Sequence, residues 1–489
     1  MPRLFVFGIG GTGARVLKSL TMLLASGVKP KDFEIIPILV DPHDTLDELN
    51  NCNKLLKLYG DINKELYKNV TGVDKGFFYT PLSTLASIAP GTGIKDGFSM
   101  DGNYGITFGQ FLERNNFPKE SRTNDFLSLL YSQGDNFNKS LSVGFKGNPN
   151  VGSVVLNKLK ETQFYKAFTT AFGGDDRVFI ISSIFGGTGA AGFPLLLKNL
   201  RQNPDMKLRD AQIGALTVMP YFKLSDPDGD PAVKSDIDSK NFMTKTKAAL
   251  TYYIKNIKDL NALYYIADPD RAIKPYKNNE LEQKNDSHLA EVLGAFAIIH
   301  FAGYNFLPKQ QEIFEYCLKK DEDRIHFRNI GDETTEAIAP NLTSIFLLNK
   351  VHKAVKEKSR LPFRKTNDLD ERFFNDPFFS NKLEEFLDEH FEKWLKELSE
   401  NQRGFNPFNL LNKGSFSDSV TAFQVHGKFL PGIFSRPFDI SDVFARMAKY
   451  EGTYKYLNKV NKKCQYLSMA YQSLQKSIKE NVQFINSES

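Results

Sequence analysis

Two glycine-rich segments each lie between an apolar run and a helical pattern, a position where a glycine loop can bind a ligand. The first is "GIGGTG" at Gly8–Gly13, and the second is "FGGTGAAG" at Phe185–Gly192. Glycine lets a phosphate approach the backbone, which a Cβ would block, and a following helix directs its N–H groups and positive dipole end at the anion. Thr188 adds a hydroxyl donor. Two such loops predict a site for a ligand with a chain of phosphates.

The first loop by itself leaves the class of ligand open. Gly8, Gly10 and Gly13 satisfy G-x-G-x-x-G, which also occurs in dinucleotide-binding folds and in plain tight turns. A fold that binds NAD is expected to have an acidic residue at the end of its second strand, and Asp41 follows the second predicted strand. The sequence has no P-loop, because Gly427-Lys428 is followed by Phe429 and no glycine precedes it at the required spacing. Phosphates bound here would therefore lack the usual P-loop lysine.

Apolar runs alternate with helical patterns and predict an α/β fold with a doubly wound, mostly parallel sheet. Ligands of such sheets bind at the carboxyl ends of the strands, where both glycine loops fall. One predicted helix is apolar on nearly all sides, which is typical of a buried central helix. The predicted strands are Leu4–Phe7, Phe33–Val40, Val178–Ser182, Ile213–Val218 and Leu263–Ile266, and the predicted helices are Thr12–Ala25, Phe193–Leu200 and the central His288–Phe301.

Composition narrows the class of protein. The chain has 489 residues, with 63 basic and 58 acidic residues giving a net charge of +5, which does not call for nucleic acid as a partner. Its three cysteines are scattered and form neither a disulfide framework nor a zinc site. No apolar run is long enough to span a membrane and no secretory leader opens the chain, so we expect a cytoplasmic protein.

The part beyond about residue 305 is predicted to be largely helical. Asn381–Leu398 reads as an amphipathic helix, with Trp394 in the core. A last helix at about Tyr454–Val482 carries an apolar heptad stripe over Leu457–Ile478. This stripe either packs on the chain itself or binds a helix of another protein. The predicted division is a nucleotide-binding domain at 1–285, the central helix at 286–305 and a helical domain at 306–489.

Several motifs, in order, resemble the tubulin and FtsZ family over roughly residues 1–305. The second glycine loop is similar to the family's signature loop, and "GNPNVG" at Gly147–Gly152 is similar to its γ-phosphate loop. The resemblance implies GTP or GDP with Mg²⁺ as ligands, and self-association. The other similar segments are "GIGGTGAR" at 8–15, "VDPHDTL" at 40–46, "LTVMPYF" at 216–222 and "NDSHLAEVLGAFAI" at 285–298.

The resemblance also implies which residues bind the nucleotide. No residue is expected to ligate the metal directly, although Asp41 and Asp44 are candidates to hold it through water or to contact the ribose, with turn formation as the alternative. Asp286 either accepts from guanine or caps the central helix. Arg15 stands where FtsZ has a guanine-reading asparagine, and Ala190 where the family has a hydroxyl. The implied nucleotide-binding residues are Gly10, Gly11, Thr12, Gly13, Arg15, Asp41, Asp44, Gly147, Asn148, Gly186, Gly187, Thr188, Gly189, Ala190, Asn285 and Asp286.

The largest departure from the family follows the central helix. Tubulin and FtsZ carry an acid in this loop that acts on the nucleotide of a neighbouring subunit, whereas Gly303–Glu312 contains Glu312 as its only acid. We expect Glu312 to lie in the first turn of the next helix, with a catalytic role as the less favoured alternative. The resulting prediction is a GTP-binding switch, scaffold or filament subunit with slow hydrolysis. The alternatives are a filament-forming GTPase with efficient hydrolysis and, less favoured, an NAD-type enzyme.

Overall fold

A computed structural model describes most of the chain. The described residues are 1–41, 47–100, 105–131, 133–141, 145, 147–224, 242–267, 275–276, 285–307, 310–317, 324–357, 369–401, 404–411, 415–422, 424–425, 428–429, 435–436 and 438–485.

The centre of the described structure is a six-stranded sheet in which all neighbouring strands are parallel. The order is β2-β1-β3-β4-β5-β6, and the first three strands are apolar runs with almost every residue buried. The predicted α/β class is confirmed. The strands are β1 Arg3–Ile9, β2 Glu34–Val40, β3 Arg177–Ser183, β4 Gln212–Val218, β5 Ala262–Ala267 and β6 Glu312–Cys317.

Helices pack on the sheet and on one another. The central helix is buried along nearly its whole length, and Gly294 lets it lie close to the sheet, because a Cβ there would be 2.7 Å from Leu216 Cδ2. The longer helices are α1 Gly10–Ala25, α2 Asp47–Tyr67, α3 Pro149–Leu156, α4 Gly187–Arg201, α5 Phe242–Asn256, α6 Leu289–Gly303 (the central helix), α7 Asp332–Glu357, α8 Ile440–Tyr454 and α9 Lys462–Asn481, together with Arg122–Tyr131 and Gln163–Ala171.

The sixth strand corrects one expectation. Glu312 begins β6, which pairs in parallel with β5, and does not lie in a helix. Its segment, EIFEYC, has no strict alternation of polar and apolar residues, so the sequence interpretation missed this strand. The boundary predicted at residue 305 would separate this strand from the other five.

The helices after residue 370 pack against the first part of the chain. Two π-helical stretches, Phe379–Leu383 and Glu385–Glu392, continue into an α-helix at Lys393–Glu400. The ring of Phe386 from this segment contacts Phe78 edge-on at 4.8 Å between centroids. Trp394 is fully buried, as predicted, and its Nε1 donates to Ser19 Oγ on α1 at 3.3 Å. The C-terminal helices therefore share a core with the sheet.

The heptad stripe packs on this same chain. The predicted single helix is broken at Lys455–Lys459, and α9 lies against α7 and α8. Apart from the exposed Val460, the stripe residues are buried, which supports the first alternative for Leu457–Ile478, packing on the chain itself, over a helix of another protein. The buried stripe residues are Leu457, Cys464, Leu467, Tyr471, Leu474 and Ile478. In the described part of the chain no helix is both long and apolar enough to span a bilayer.

Candidate functional site

The two glycine loops meet at the carboxyl edge of the sheet. They follow β1 and β3, which are neighbours in the sheet, so their strand ends lie side by side. A Cβ built on Gly10 would lie 3.6 Å from Thr188 Cβ, 3.8 Å from Asp41 Oδ2 and 3.9 Å from Gly189 N. Gly10 therefore faces a space bounded by both loops and by the carboxylate that follows β2.

Two helices begin at this space without a cap of their own. The N-cap residues of α1 and α4 are Ile9 and Gly186, whose side chains have no hydrogen-bond acceptor. Neither helix has an acid in its first turn. By contrast, four other helices, α3, α6, α8 and α9, are capped by Asn148, His288, Asp439 and Asn461. The N–H groups of α1 and α4 are thus arranged to receive an acceptor from outside the helix.

The glycines of the first loop have two different roles. A Cβ on Gly13 would lie 2.3 Å from Gly8 C, and one on Gly8 would lie 2.7 Å from Leu17 Cδ1, so these two glycines bring α1 close to β1. Gly10 has φ +71°, a left-handed conformation that glycine adopts without cost, and its missing Cβ leaves space at the site. In this loop Gly10 is the position where a phosphate would approach.

The glycines of the second loop permit close packing with neighbouring backbone, and their predicted contact with phosphate stays a prediction. A Cβ on Gly187 would lie 3.0 Å from both Gly147 N and Asn148 N, and a Cβ on Gly189 would lie 2.8 Å from Ser183 N. Each added Cβ would lie too close to the backbone of a neighbouring segment. What the second loop presents to Gly10 is the side chain of Thr188 and the start of α4.

The "GNPNVG" segment is held against the second loop. Gly147 has φ +71°, and Asn148 caps α3 by accepting from the N–H groups of Asn150 and Val151. The Asn148 amide also donates to Asn136 Oδ1 at 3.1 Å. The side chain of Asn148 therefore orders its own loop, and the backbone of that loop is what adjoins Gly187.

Arg15 lies in a buried charge cluster beside the first loop. Its Nε donates to Glu291 Oε1 at 2.8 Å and its Nη2 to Tyr221 Oη at 2.8 Å, while Tyr221 Oη donates to the same Glu291 oxygen. Glu48 Oε2 lies 3.7 Å from Arg15 Nη1. Arg15 thus connects α1 with the start of α6, and its predicted contact with a base stays a prediction.

One cation faces two carboxyl groups in this cluster. Burial raises the pKa of Glu48 to about 7, against the opposing effect of Arg15. Burial also raises the pKa of Glu291 above its ordinary value. Glu291 is bonded to Arg15, to Tyr221 and to the backbone N–H of His288, whereas Glu48 Oε2 accepts no hydrogen bond from the described residues. Glu48 is therefore the less fully hydrogen-bonded of the two carboxyl groups.

The start of α6 lies next to this cluster. Its N-cap is His288, with Glu291 completing a capping box, so the alternative that Asp286 caps this helix is wrong. Asn285 Nδ2 is buried without a hydrogen-bond partner among the described residues. An orphaned buried amide is costly, and a ligand that accepts from it would remove that cost. This observation fits the predicted role of Asn285 beside Asp286 in reading a base.

Two predicted residues fall elsewhere. Glu312 begins β6 and so lies at the amino edge of the sheet, opposite to the glycine loops that follow β1 and β3. Asp44 lies outside the described residues. The described part of the chain contains no cluster of three or more His, Cys, Asp or Glu side chains arranged to hold a metal. Of the carboxylates proposed to hold Mg²⁺ through water, Asp41 is the one placed beside Gly10.

Sequence reasoning missed four residues beside the loops, namely Glu48, Tyr221, Glu291 and Lys245, whose Nζ donates to Gly147 O at 2.8 Å. Glu291 had a recognisable signal, because it stands three residues after His288 at the N-terminus of an apolar helix, as in a capping box. Tyr221 lies within the quoted "LTVMPYF". Lys245 had no signal, since it is one of several lysines on an ordinary helix.

Neither a family model nor a curated protein matches the sequence. Among solved structures, CetZ from Methanosaeta thermophila strain DSM 6194 is similar to the chain with a TM-score of 0.28 and 11% identity. The match covers 62% of this chain and 51% of that protein, so the chain spans about half the length of CetZ.

Proposed function

We propose that this chain is a tubulin/FtsZ-like protein that binds GTP with Mg²⁺ where the glycine loops meet, and that it acts as a nucleotide-dependent switch, scaffold or filament subunit. The observation that carries the proposal is the space at Gly10, onto which Thr188 and the uncapped starts of α1 and α4 open. Each helix start contributes about half a positive charge, together with N–H donors. This combination suits a phosphate chain better than a neutral ligand.

The residues around the site fit Mg²⁺ bound together with phosphate. Mg²⁺ usually takes one or two carboxylates, several waters and the oxygens of the phosphates. Asp41 is 9% exposed and its Oδ2 faces Gly10, which suits a contact with the ion through water. The ion would neutralise phosphate charge, while the chain supplies the N–H groups and the hydroxyl of Thr188.

Guanine is the proposed base. Asn285 presents a buried amide without a partner, and Asp286 stands beside it at the start of α6. A carboxylate that accepts from guanine N1 and N2, next to an amide that donates, matches guanine and does not match adenine. Arg15 lies across the cluster from this point and is held by Glu291.

A thermal-shift comparison of GTP, ATP and NAD tests the proposal. GTP at about a thousandfold over its Kd should stabilise the chain by about 4 kcal/mol, and the other two should stabilise it less. Stabilisation by NAD without stabilisation by GTP would instead favour the NAD-type alternative.

We propose that an isolated chain hydrolyses GTP slowly. A strand of β1's length spans about 20 Å, and Glu312 lies at the edge of the sheet opposite to the loops, so it does not reach the nucleotide of its own chain. The same position favours the second candidate function, because a neighbouring subunit stacked on the loops would bring its own Glu312 to them. Phosphate release measured over a protein dilution series, with Glu312→Gln beside wild type, separates the two. Hydrolysis that rises steeply with concentration and is lost in Glu312→Gln would establish the filament-forming GTPase.

A further inference from the structure

We propose that Glu397 and Asn401 are positioning residues for the base-binding end of the nucleotide site, because they hold the backbone just before the central helix. Glu397 lies on the helix Lys393–Glu400, and Asn401 is the C-cap of that helix. This inference rests on the proposed nucleotide function and extends it to the C-terminal part of the chain. It makes docking of this helix and recognition of the base depend on each other.

All three polar groups of Ser287 are bound by this end of the helix. The backbone N–H and the hydroxyl of Ser287 both donate to Glu397 Oε2, at 3.2 and 2.8 Å. The carbonyl oxygen of Ser287 accepts from Asn401 Nδ2. Ser287 is 1% exposed and Asn401 is 6% exposed, so water has little access to these bonds. The backbone before α6 is therefore held by residues that lie 110 and 114 positions later in the chain.

Glu397 Oε2 also binds α1, the helix that begins at the first glycine loop. Lys18 Nζ donates to this oxygen at 2.8 Å. Trp394 from the same C-terminal segment donates to Ser19 Oγ on α1 at 3.3 Å. One carboxylate oxygen thus accepts from an ammonium of α1 and from two donors just before α6. Hydrogen bonds to a charged group are roughly twice as strong as neutral ones, so Glu397 links these two helices firmly.

Ser287 adjoins the residues proposed to read the base. Asn285, whose buried Nδ2 has no partner among the described residues, precedes Ser287 by two positions. Glu291 in the first turn of α6 accepts from Arg15 Nε at 2.8 Å, and Arg15 Nη2 donates to Thr12 Oγ1 at 3.3 Å. These contacts place the start of α6 beside the first loop. Holding Ser287 therefore fixes the segment that joins Asn285 to this helix start.

The phosphate end of the proposed site is built from other elements. Gly10 and Thr188 lie in the loops that follow β1 and β3, which are neighbours in the sheet. Loosening the segment before α6 should weaken recognition of the base, because a binding group that is not held in place must be ordered when the ligand binds. Attraction of the phosphates should change little. The effect of losing Glu397 or Asn401 is thus expected to depend on the base of the ligand.

The test compares Glu397→Gln and Asn401→Ala with the control Glu400→Gln in the full chain. Glu400 lies on the same helix, with a side chain that is 57% exposed and faces Lys396 at 3.8 Å. Binding of GTP, ATP and inorganic tripolyphosphate is measured by titration calorimetry, together with the melting temperature of each unliganded variant. Both test variants should weaken GTP about 10-fold, leave tripolyphosphate within about twofold and narrow the preference for GTP over ATP. Glu400→Gln should match wild type for every ligand.

The outcomes separate this inference from the proposed function. Equal weakening of GTP and tripolyphosphate, or a lowered melting temperature with unchanged GTP binding, would show that Glu397 and Asn401 only stabilise the fold. That result would overturn the inference while GTP binding stands. Wild type that prefers ATP, with a preference that depends on Glu397 and Asn401, would support the positioning role and refute guanine.

Wild type that binds none of the three ligands would refute both. Asn401→Ala keeps the ion pair between Lys18 and Glu397, so it decides the question if Glu397→Gln does not fold.

Discussion

The two glycine loops look alike in sequence but differ in what their glycines do. In the first loop Gly10 opens the site, while Gly8 and Gly13 join strand to helix. In the second loop Gly187 and Gly189 face neighbouring backbone. The surroundings differ as well: Arg15 sits in a buried charge cluster beside the first loop, whereas aromatic rings such as Phe185 pack beside the second.

A glycine pattern therefore indicates that the backbone closely approaches another group. It does not indicate whether that group is a ligand or another segment of the chain. Close approach to a phosphate and close approach to another segment both exclude a Cβ. The distances from each missing Cβ separate the two cases.

The largest effect is expected at Gly13, a glycine that serves packing. Gly13→Ala places a Cβ 2.3 Å from Gly8 C, which forces α1 away from β1. We expect a loss of about 3 kcal/mol or more in the free energy of unfolding, measured by urea titration. Gly174→Ala, with no atom within 4 Å of the added carbon, is the control. A Gly13→Ala protein as stable as this control would contradict the packing role.

The next effect is on binding, at the glycine that opens the site. Gly10→Ala adds a carbon between the loops and should weaken GTP binding about 100-fold or more, because the phosphate loses its closest approach to the backbone. Because alanine is strained at this left-handed φ, the substitution should also lower the free energy of unfolding by about 1–2 kcal/mol.

Gly93→Ala is a matched control for Gly10→Ala. Gly93 has the same φ of +71° and nothing within 4 Å, so it carries the same backbone cost without the steric effect on a ligand. Titration calorimetry on both variants isolates the effect on binding. Equal affinity in Gly10→Ala and Gly93→Ala would remove Gly10 from the site.

Thr188 tests what the second loop contributes. Thr188→Ala removes the hydroxyl and should weaken GTP binding by about 1.5–3 kcal/mol, the range for a hydrogen bond to a charged group. Thr188→Ser keeps the hydroxyl and should bind nearly as wild type. Equal losses in the two variants, measured by the same titration, would mean that the hydroxyl is not what the loop supplies.

The smallest effect concerns the charge cluster beside the first loop. Because the folded chain raises the pKa of Glu48 to about 7, the folded state holds the proton more tightly than the unfolded state does. The stability this contributes is complete below the ordinary pKa of 4.5 and is lost as the pH rises through about 7. Between roughly pH 6 and pH 8 the loss is about 1 kcal/mol.

Glu48→Gln should abolish that part of the pH dependence. The free energy of unfolding of wild type and variant, compared across this pH range, checks the prediction. A variant whose stability falls as steeply as that of wild type would show that another group takes up the proton.

The α/β class of the fold followed from the sequence alone, and so did the prediction that both glycine loops lie at the carboxyl edge of the sheet. Apolar runs such as Val178–Ser182 and the glycines after them are local patterns, and their period and spacing are set by strand and helix geometry. The burial of the central helix was also predicted from the sequence, because a helix that is apolar on all sides packs in a protein core.

Which residues touch one another depends on how distant elements pack together. The heptad stripe of α9 does not specify whether its partner is the same chain or another, and packing on α7 and α8 settled this. The strand at Glu312 depends on the free edge of β5, which lies far away in sequence. Likewise Arg15 meets Glu291, and Lys245 meets Gly147, across 276 and 98 residues of chain. Local spacing carries no information on such contacts, because they form only when distant elements pack together.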